Sequence, residues 1–326
     1  MNTNAQYSTK VELPYWVFPS LYTLVCLLLN YFAGSLDFPA TNILREQRDF
    51  NAALGMPVVT GYLWLTVRLL HQHAAKSLVN YLLSQHRLAD FSIHRQRLET
   101  RLQKHVLLAA TLSVSVTLIY LTTENLLALD LELHVLLLNL MAVPFWFFIW
   151  LFVFQITFIT LYVIRHFVGK TQFDLYELRK LKPISDLVLT NTVFAIAVLA
   201  ITPVFWYRVP VPVIDIIILA FLMGALISYV FWPVLKMRFM MKRQKQVVIE
   251  NLNNQMQLLF DNSAVELQLE DDVRLRKLEL LQNQKEEVFS LSEWPLDLPQ
   301  AIKVITVSTL LPLSWLLLAA MENMFA

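Results

Sequence analysis

Cysteine is scarce in this sequence, and glycine is almost as rare. Cys26 is the single cysteine among 326 residues, so disulfides and cysteine-rich zinc or iron–sulfur sites within one chain are excluded. None of the five glycines belongs to a glycine-rich phosphate loop. We therefore expect no cofactor and no nucleotide site of the common kinds.

Charged residues are also few, at 16% against about 25% in soluble domains. Hydrophobic residues reach 57%, and the mean hydropathy is +0.53, so a large apolar surface must be buried in lipid or between helices. The net charge of +1 argues against nucleic-acid binding, which needs a concentrated basic face. The composition predicts an integral membrane protein.

Seven apolar stretches approach the length of about 20 residues that a helix needs to cross the hydrocarbon core. They lie at 16–33, 53–70, 106–128, 135–168, 187–206, 213–232 and 301–321. The first could instead be a signal peptide, but its apolar run exceeds the about 7–15 residues of such a segment. We expect an all-α bundle of about seven transmembrane helices.

Lysine and arginine are concentrated in alternate connections, which predicts the orientation of the chain. The connections 71–105, 169–186 and 233–298 are basic, whereas the others are poor in Lys and Arg. This alternation places the N-terminus in the cytoplasm and the C-terminus outside a bacterial inner membrane. It also requires the second span, although Gly55, Pro57 and Gly61 interrupt it.

These expectations divide the chain into eight parts. They are a cytoplasmic N-terminus at 1–15, two spans at 16–70, a basic amphipathic cytoplasmic segment at 71–105, spans three and four at 106–168, a cytoplasmic loop at 169–186, spans five and six at 187–232, a cytoplasmic hairpin at 233–298, and the last span with an outer C-terminus at 299–326.

The largest cytoplasmic part is predicted to be a helical hairpin. Span six is expected to continue to about Phe260, and a capping box at 263–266 predicts a second helix from Ala264 to about Ser290. A hairpin of this kind cannot enclose a soluble active site. It can bind a partner protein or a second copy of the chain through 236–298.

Polar residues within the apolar spans are candidates for an ion or proton path. Glu124 is an ionisable group in span three, and such groups are costly to bury in a membrane. Asn139, Gln155 and Asn191 lie in spans four and five. Hydrogen bonds between helices are the ordinary role of such residues, and a wet interfacial position is the alternative for Glu124.

Five of the seven histidines lie between His71 and His105. His71 and His73 form an H-x-H pair that can ligate zinc, but no carboxylates stand beside it at a metal-binding spacing. We interpret these histidines as solvated side chains of a cytoplasmic segment, and we expect no metal site.

Three short motifs resemble a family of uncharacterised bacterial multi-pass membrane proteins. They are FDLYEL at 173–178, FWPVLK at 231–236, and EWPLD at 293–297 followed by LLPLSW at 310–315. The most specific of them is the W-P-x-D return before a P-x-S-W final span. The resemblance covers the C-terminal half and implies a multi-pass architecture, without implying an activity.

The return at 293–297 is also a candidate structural hinge formed by Trp294, Pro295 and Asp297. Pro295 disfavours helix at Trp294, and Asp297 can cap the next helix with Pro299 in its first turn. A rigid corner is the simpler interpretation, and a hinge between the hairpin and span seven is the alternative.

The sequence contains neither H-E-x-x-H nor G-x-S-x-G, and no pair of intramembrane aspartates. We therefore expect a non-enzymatic assembly, sensor or regulatory subunit that acts through its cytoplasmic hairpin. The lipid bilayer is its expected environment, and nucleic acid is not an expected partner. The alternative is an ion channel or transporter that uses Glu124 and the polar residues of spans four and five.

Overall fold

The computed structural model of the protein describes residues 14–37, 44–123, 132–163, 165–166, 182–211, 213–261, 271–290 and 298–324. Within these ranges every long element is an α-helix, and no strand occurs in them, which confirms the predicted all-α class. The helices are α1 Val17–Phe32, α2 Leu44–Ser84, α3 Phe91–Thr123, α4 Leu133–Val163, α5 Lys182–Ile201, α6 Val213–Asp261, α7 Asp271–Ser290 and α8 Leu298–Met324.

Four helical segments in the described ranges are long and apolar enough to cross a membrane. They are Leu44–Ser84, Leu88–Thr123, Leu133–Val163 and Lys182–Trp206. Two further helices, Val17–Phe32 and Ser308–Ala320, are apolar but shorter. These segments agree with the membrane class that the composition predicts.

The amphipathic segment 71–105, which is predicted to be a helix on the membrane surface or packed on other cytoplasmic parts, does not form a separate helix. α2 runs on to Ser84 and α3 already begins at Phe91, so most of the segment consists of the ends of two long helices. It contains no proline or glycine that would end them earlier. The chain reverses near His86, whose φ of 55° lies in the left-handed region.

α2 lies at the centre of the bundle and packs against α1, α4 and α5. Its side chains Leu63 and Leu70 are fully buried, and they belong to one hydrophobic cluster with Ile156 and Ile159 of α4 and Val188 of α5. The second predicted span, which Gly55, Pro57 and Gly61 interrupt, is therefore part of the helix around which the others are arranged.

Pro57 lies inside α2 and removes one backbone hydrogen bond from it. Proline has no N–H, so the carbonyl of Ala53, four residues earlier, loses its usual donor. The Asn30 side chain of α1 supplies this donor, because its Nδ2 lies 2.6 Å from the Ala53 oxygen. α1 therefore restores the hydrogen bonding of α2 at its proline.

A second close contact joins the same two helices one turn further along α2. The Thr23 hydroxyl of α1 donates to the carbonyls of Pro19, at 3.0 Å, and Pro57, at 3.3 Å. At Gly61 a Cβ atom would collide with this hydroxyl and lie 3.2 Å from the Pro19 oxygen. Glycine at this position is what lets the two helices approach so closely.

Asn51 holds the beginning of α2 to the connection between α5 and α6. Its Nδ2 donates to the carbonyls of Phe205, at 3.2 Å, and Tyr207, at 2.8 Å. These two carbonyls lie at the end of α5, where a 3-10 helix, Thr202–Trp206, leads into the turn before α6. α2 is thus fastened to α1 and to the α5–α6 connection by side-chain amides.

α6 and α7 form the predicted helical hairpin. α6 ends at Asp261, one residue beyond the expected end, and α7 ends at Ser290 as expected. Leu252 of α6 and Val288 of α7 are buried against each other's helices, and the Lys245 Nζ donates to the Phe289 carbonyl at 2.8 Å. The predicted capping box at 263–266 lies outside the described residues.

Truncating the hydrophobic contact between the two arms should loosen the hairpin. Val288→Ala removes apolar atoms from a buried side chain and is expected to cost about 1 kcal/mol. The rate of limited proteolysis between α6 and α7 would rise about fivefold in consequence. Leu275→Ala, at a side chain that is 58% exposed, is the matched control and should leave the rate unchanged; equal rates for the two variants would contradict this packing.

α8 follows the hairpin and packs against α5. It begins at Leu298, so Pro299 lies in its first turn as predicted. The indole rings of Trp315 in α8 and Trp206 after α5 are stacked with centroids 5.9 Å apart. The hinge candidates Trp294, Pro295 and Asp297 lie outside the described residues.

Candidate functional site

Of the four path residues suggested by the sequence, the three that the structure describes do not form one site. Glu124 lies outside the described residues. Asn139 is half-buried near the start of α4, whereas Gln155 and Asn191 are fully buried. Asn139 and Gln155 are sixteen residues apart on the same helix, which corresponds to about 24 Å along its axis.

Gln155 and Asn191 each contact a polar group of a neighbouring helix. The Gln155 Nε2 lies 3.1 Å from Nδ1 of His105 in α3, and the Asn191 Nδ2 donates to the Thr160 hydroxyl of α4 at 3.3 Å. Such contacts hold helices together in an apolar environment. A path role for the two residues stays a prediction.

Asn139 lines a cavity of about 550 Å³ between the start of α2, the end of α3 and the start of α4. Arg45, Arg48 and Asp49 also line it, together with Tyr120. Neither Gln155 nor Asn191 belongs to this cavity. This cavity is lined by charged side chains at one end of the bundle. The pattern of basic loops predicts that this end faces the outside.

A second cavity, of about 700 Å³, lies at the opposite end of the same helices, between the beginning of α3 and the end of α4. Its walls carry four basic side chains from two segments that are distant in sequence. They are Arg97, Arg101 and Lys104 of α3 and Arg165, just after α4. We call this cavity the basic cavity.

Tyr162 and His166, which line the basic cavity, form a compact group with His94. The Tyr162 hydroxyl shares a hydrogen bond with Nδ1 of His94, and the rings of Tyr162 and His166 stack with centroids 4.3 Å apart. His94 lies in the polar first part of α3, where burial and the nearby charges of Arg97 and His166 lower its pKa below the usual value. The group therefore lies in a positive environment.

These contacts correct the interpretation of His94 and His105 as solvated, whereas His73 and His86 are exposed as expected. His94 and His105 are half-buried and have side-chain partners on α4, because the ends of α2 and α3 pack on α4 instead of lying apart on the membrane surface. Across the described ranges, no three His, Cys, Asp or Glu residues come together as a metal site would require.

The basic cavity is the feature that the sequence interpretation missed. Arg97, Arg101 and Lys104 are spaced i, i+4 and i+7, which places them on one face of a helix. That spacing is visible in the sequence and could have indicated a basic stripe. The position of Arg165 opposite the stripe depends on how α3 packs against α4, and no local pattern reveals it.

Compared with protein-family models, with curated proteins and with solved structures, the chain matches none.

Proposed function

We propose that this protein is a non-enzymatic membrane subunit that assembles through the hairpin of α6 and α7, with a second copy of itself as the partner. The observation that carries the proposal is a pair of large apolar side chains exposed on one face of each arm of this hairpin, and we call each pair the stripe of its arm. The hairpin lies beyond the apolar part of α6, so lipid does not cover these side chains in the proposed arrangement.

Each stripe follows one helix face. Val247 and Leu258 of α6 are eleven residues apart, which is three helical turns, and Val273 and Leu280 of α7 are seven apart, which is two turns. Leu258 and Leu280 are 62% and 61% exposed. Exposed apolar stripes of this kind are a feature of helix–helix interfaces.

A second copy is the occupant that this geometry favours. The hairpin has a single internal interface, in which Leu252 and Val288 are buried with a few partly buried neighbours. Two such hairpins can form a four-helix bundle, in which the exposed stripes become the core. Twofold symmetry would close this assembly without leaving an open interface.

The proposed frame for the hairpin is a seven-span bundle in a bacterial inner membrane, with the N-terminus in the cytoplasm. The four long apolar helical segments and the two shorter ones support this frame, together with the apolar sequence 213–232 at the start of α6. The basic connections support a cytoplasmic hairpin. A sensory or regulatory input would reach the assembly through α6.

The scarcity of cysteine makes the proposal testable by disulfide crosslinking in native membranes. Cys26 is the single cysteine and is buried, so Cys26→Ser provides a background without thiols. In this background Leu280→Cys places a thiol on the α7 stripe. Gln282→Cys places one two residues away, on the other side of the same helix, and is the matched control.

Oxidation is expected to convert the Leu280→Cys protein into a covalent dimer and to leave the Gln282→Cys protein monomeric. Adding Val273→Glu should weaken the dimer band, because a charge in the apolar interface is costly to desolvate. Recovery of monomer alone, equal dimer from both cysteine positions, or an adduct with a different protein would each overturn self-assembly through this stripe.

The channel or transporter alternative has less support. Gln155 and Asn191 are buried in contacts with His105 and Thr160, and the cavity beside Asn139 includes neither of them. Ion flux into liposomes that contain the purified protein, altered by Glu124→Gln, would favour this alternative over the assembly role.

A further inference from the structure

We propose that the basic cavity between α3 and the end of α4 binds a phosphate group, carried either by the headgroup of an anionic lipid or by a free phosphate compound. The inference requires that α3 crosses a membrane. It does not depend on pairing of the hairpin, so the two proposals can fail separately.

The cations of the cavity converge from two helices. Arg97, Arg101 and Lys104 lie on one face of α3, where neighbouring positions are about 5–6 Å apart. Arg165 approaches from the end of α4, and the four side chains line the same cavity and are exposed. Guanidinium groups bind phosphate through paired hydrogen bonds, and an ammonium adds a further positive charge.

These four cations differ from other arginines of the same region. Arg87 forms an ion pair with Asp90 at 2.8 Å, and Arg95 forms one with Glu99 at 2.8 Å. Within the part of the chain that the structure describes, no carboxylate lies within ion-pair distance of the four cations that line the cavity. Among the described residues, no ion pair competes with an anion for these four cations.

The cavity is also amphiphilic, as a lipid site has to be. Phe158, Leu161 and Ile93 give it an apolar wall, while Thr100 and Gln96 offer neutral polar groups. A phosphate could contact the cations while an acyl chain follows the apolar wall toward the hydrocarbon. A free phosphate compound would use the cations and leave this wall without a ligand.

The position along α3 fits the surface of a membrane. The apolar part of α3 begins at Val106, directly after Lys104 and His105. Arg97 lies seven residues earlier than Lys104, which is about 10 Å along the helix. The cations thus extend from the edge of the hydrocarbon core across the headgroup layer, where basic pockets between transmembrane helices bind anionic headgroups.

The test is a lipid-binding measurement on the full-length protein purified in a neutral detergent. Dioleoyl phosphatidylglycerol is the anionic probe, dioleoyl phosphatidylcholine is the probe without net charge, and bound lipid is counted by native mass spectrometry. The test variant is Arg97→Gln with Arg101→Gln. The matched control, Arg87→Gln with Arg95→Gln, removes the same charge from paired arginines of the same region.

Wild type is expected to prefer phosphatidylglycerol, and the test variant should lose about fivefold in affinity for each charge removed, or about 25-fold in total. The control variant should lose less than about twofold in affinity, because its arginines do not face the cavity. Arg97→Lys with Arg101→Lys keeps the charge and should retain most of the binding, which separates loss of charge from loss of folding.

Competition with inorganic phosphate identifies the source of the ligand. If excess phosphate displaces phosphatidylglycerol, the cavity is a site for a free phosphate compound; if it does not, the lipid headgroup is the ligand. Equal affinity of wild type for the two lipids, together with no binding of inorganic phosphate, would overturn the proposal without any variant. Equal losses in the test and control variants would overturn it as well.

Discussion

Replacing Asn30 by leucine is expected to destabilise the contact between α1 and α2 by about 2–3 kcal/mol. The change removes the donor to the Ala53 carbonyl, which Pro57 has left without a backbone partner. An unsatisfied buried carbonyl is costly, and more so where no water can replace the lost donor. The buried thiol of Cys26, also on α1, should then react with a maleimide about 30-fold faster or more.

A second substitution distinguishes this mechanism from simple loss of packing. Pro57→Ala returns an N–H to position 57, which can donate to Ala53 within α2, so it should reverse most of the effect of Asn30→Leu. Asn80→Leu, at an exposed asparagine of α2, is the control and should leave Cys26 unreactive. If Pro57→Ala fails to rescue Asn30→Leu, the hydrogen bond to Ala53 is not what holds α1 in place.

Gly61→Leu is expected to have the other large effect, about 3 kcal/mol, because α1 and α2 touch at this residue. A Cβ atom there already collides with the Thr23 hydroxyl and approaches the Pro19 carbonyl, which is backbone and cannot rotate away. Overpacking of this kind forces the helices apart. The expected result is a lower thermal unfolding temperature in detergent, with faster maleimide labelling of Cys26.

The chain offers a matched control for this substitution at Gly224. A Cβ atom added at Gly224 would meet nothing within 4 Å, so Gly224→Leu should leave the unfolding temperature close to that of wild type. Gly61→Ala should cost less than Gly61→Leu, and Thr23→Ala should recover part of that loss by removing the hydroxyl. Similar losses at Gly61 and Gly224 would show that close approach at Gly61 does not determine the effect, since leucine has a higher helix propensity than glycine at both positions.

The features that could be predicted from the sequence are those with a local signal. The end of α6 at Asp261 and the end of α7 at Ser290 agree with a polar break and a helical pattern that can be found by inspection. Pro299 in the first turn of α8 follows a common rule for helix starts. The apolar composition likewise predicts the membrane class without any knowledge of packing.

The contacts that hold the bundle could not be predicted in this way. Asn30 and Pro57 are 27 positions apart. Nothing in the sequence near either residue indicates that the Asn30 side chain donates to the Ala53 carbonyl, which Pro57 leaves without a backbone donor. The basic cavity, too, could be predicted from the sequence only in part. The stripe from Arg97 to Lys104 is visible in the sequence, but the approach of Arg165 is a consequence of how two helices pack.

The continuity of α6 gives the hairpin a mechanical property. This one helix runs for 49 residues, about 73 Å, and extends about 43 Å beyond its apolar part. α6 is a continuous helix from Val213 to Asp261, and it acts as a rigid lever as long as it stays straight at Pro233, where the proline removes one backbone hydrogen bond at the end of the apolar part. A change of about 10° in the tilt of its apolar part would swing the far end by about 7 Å. A small movement among the helices in the membrane is therefore magnified into a large displacement at the tip of the hairpin.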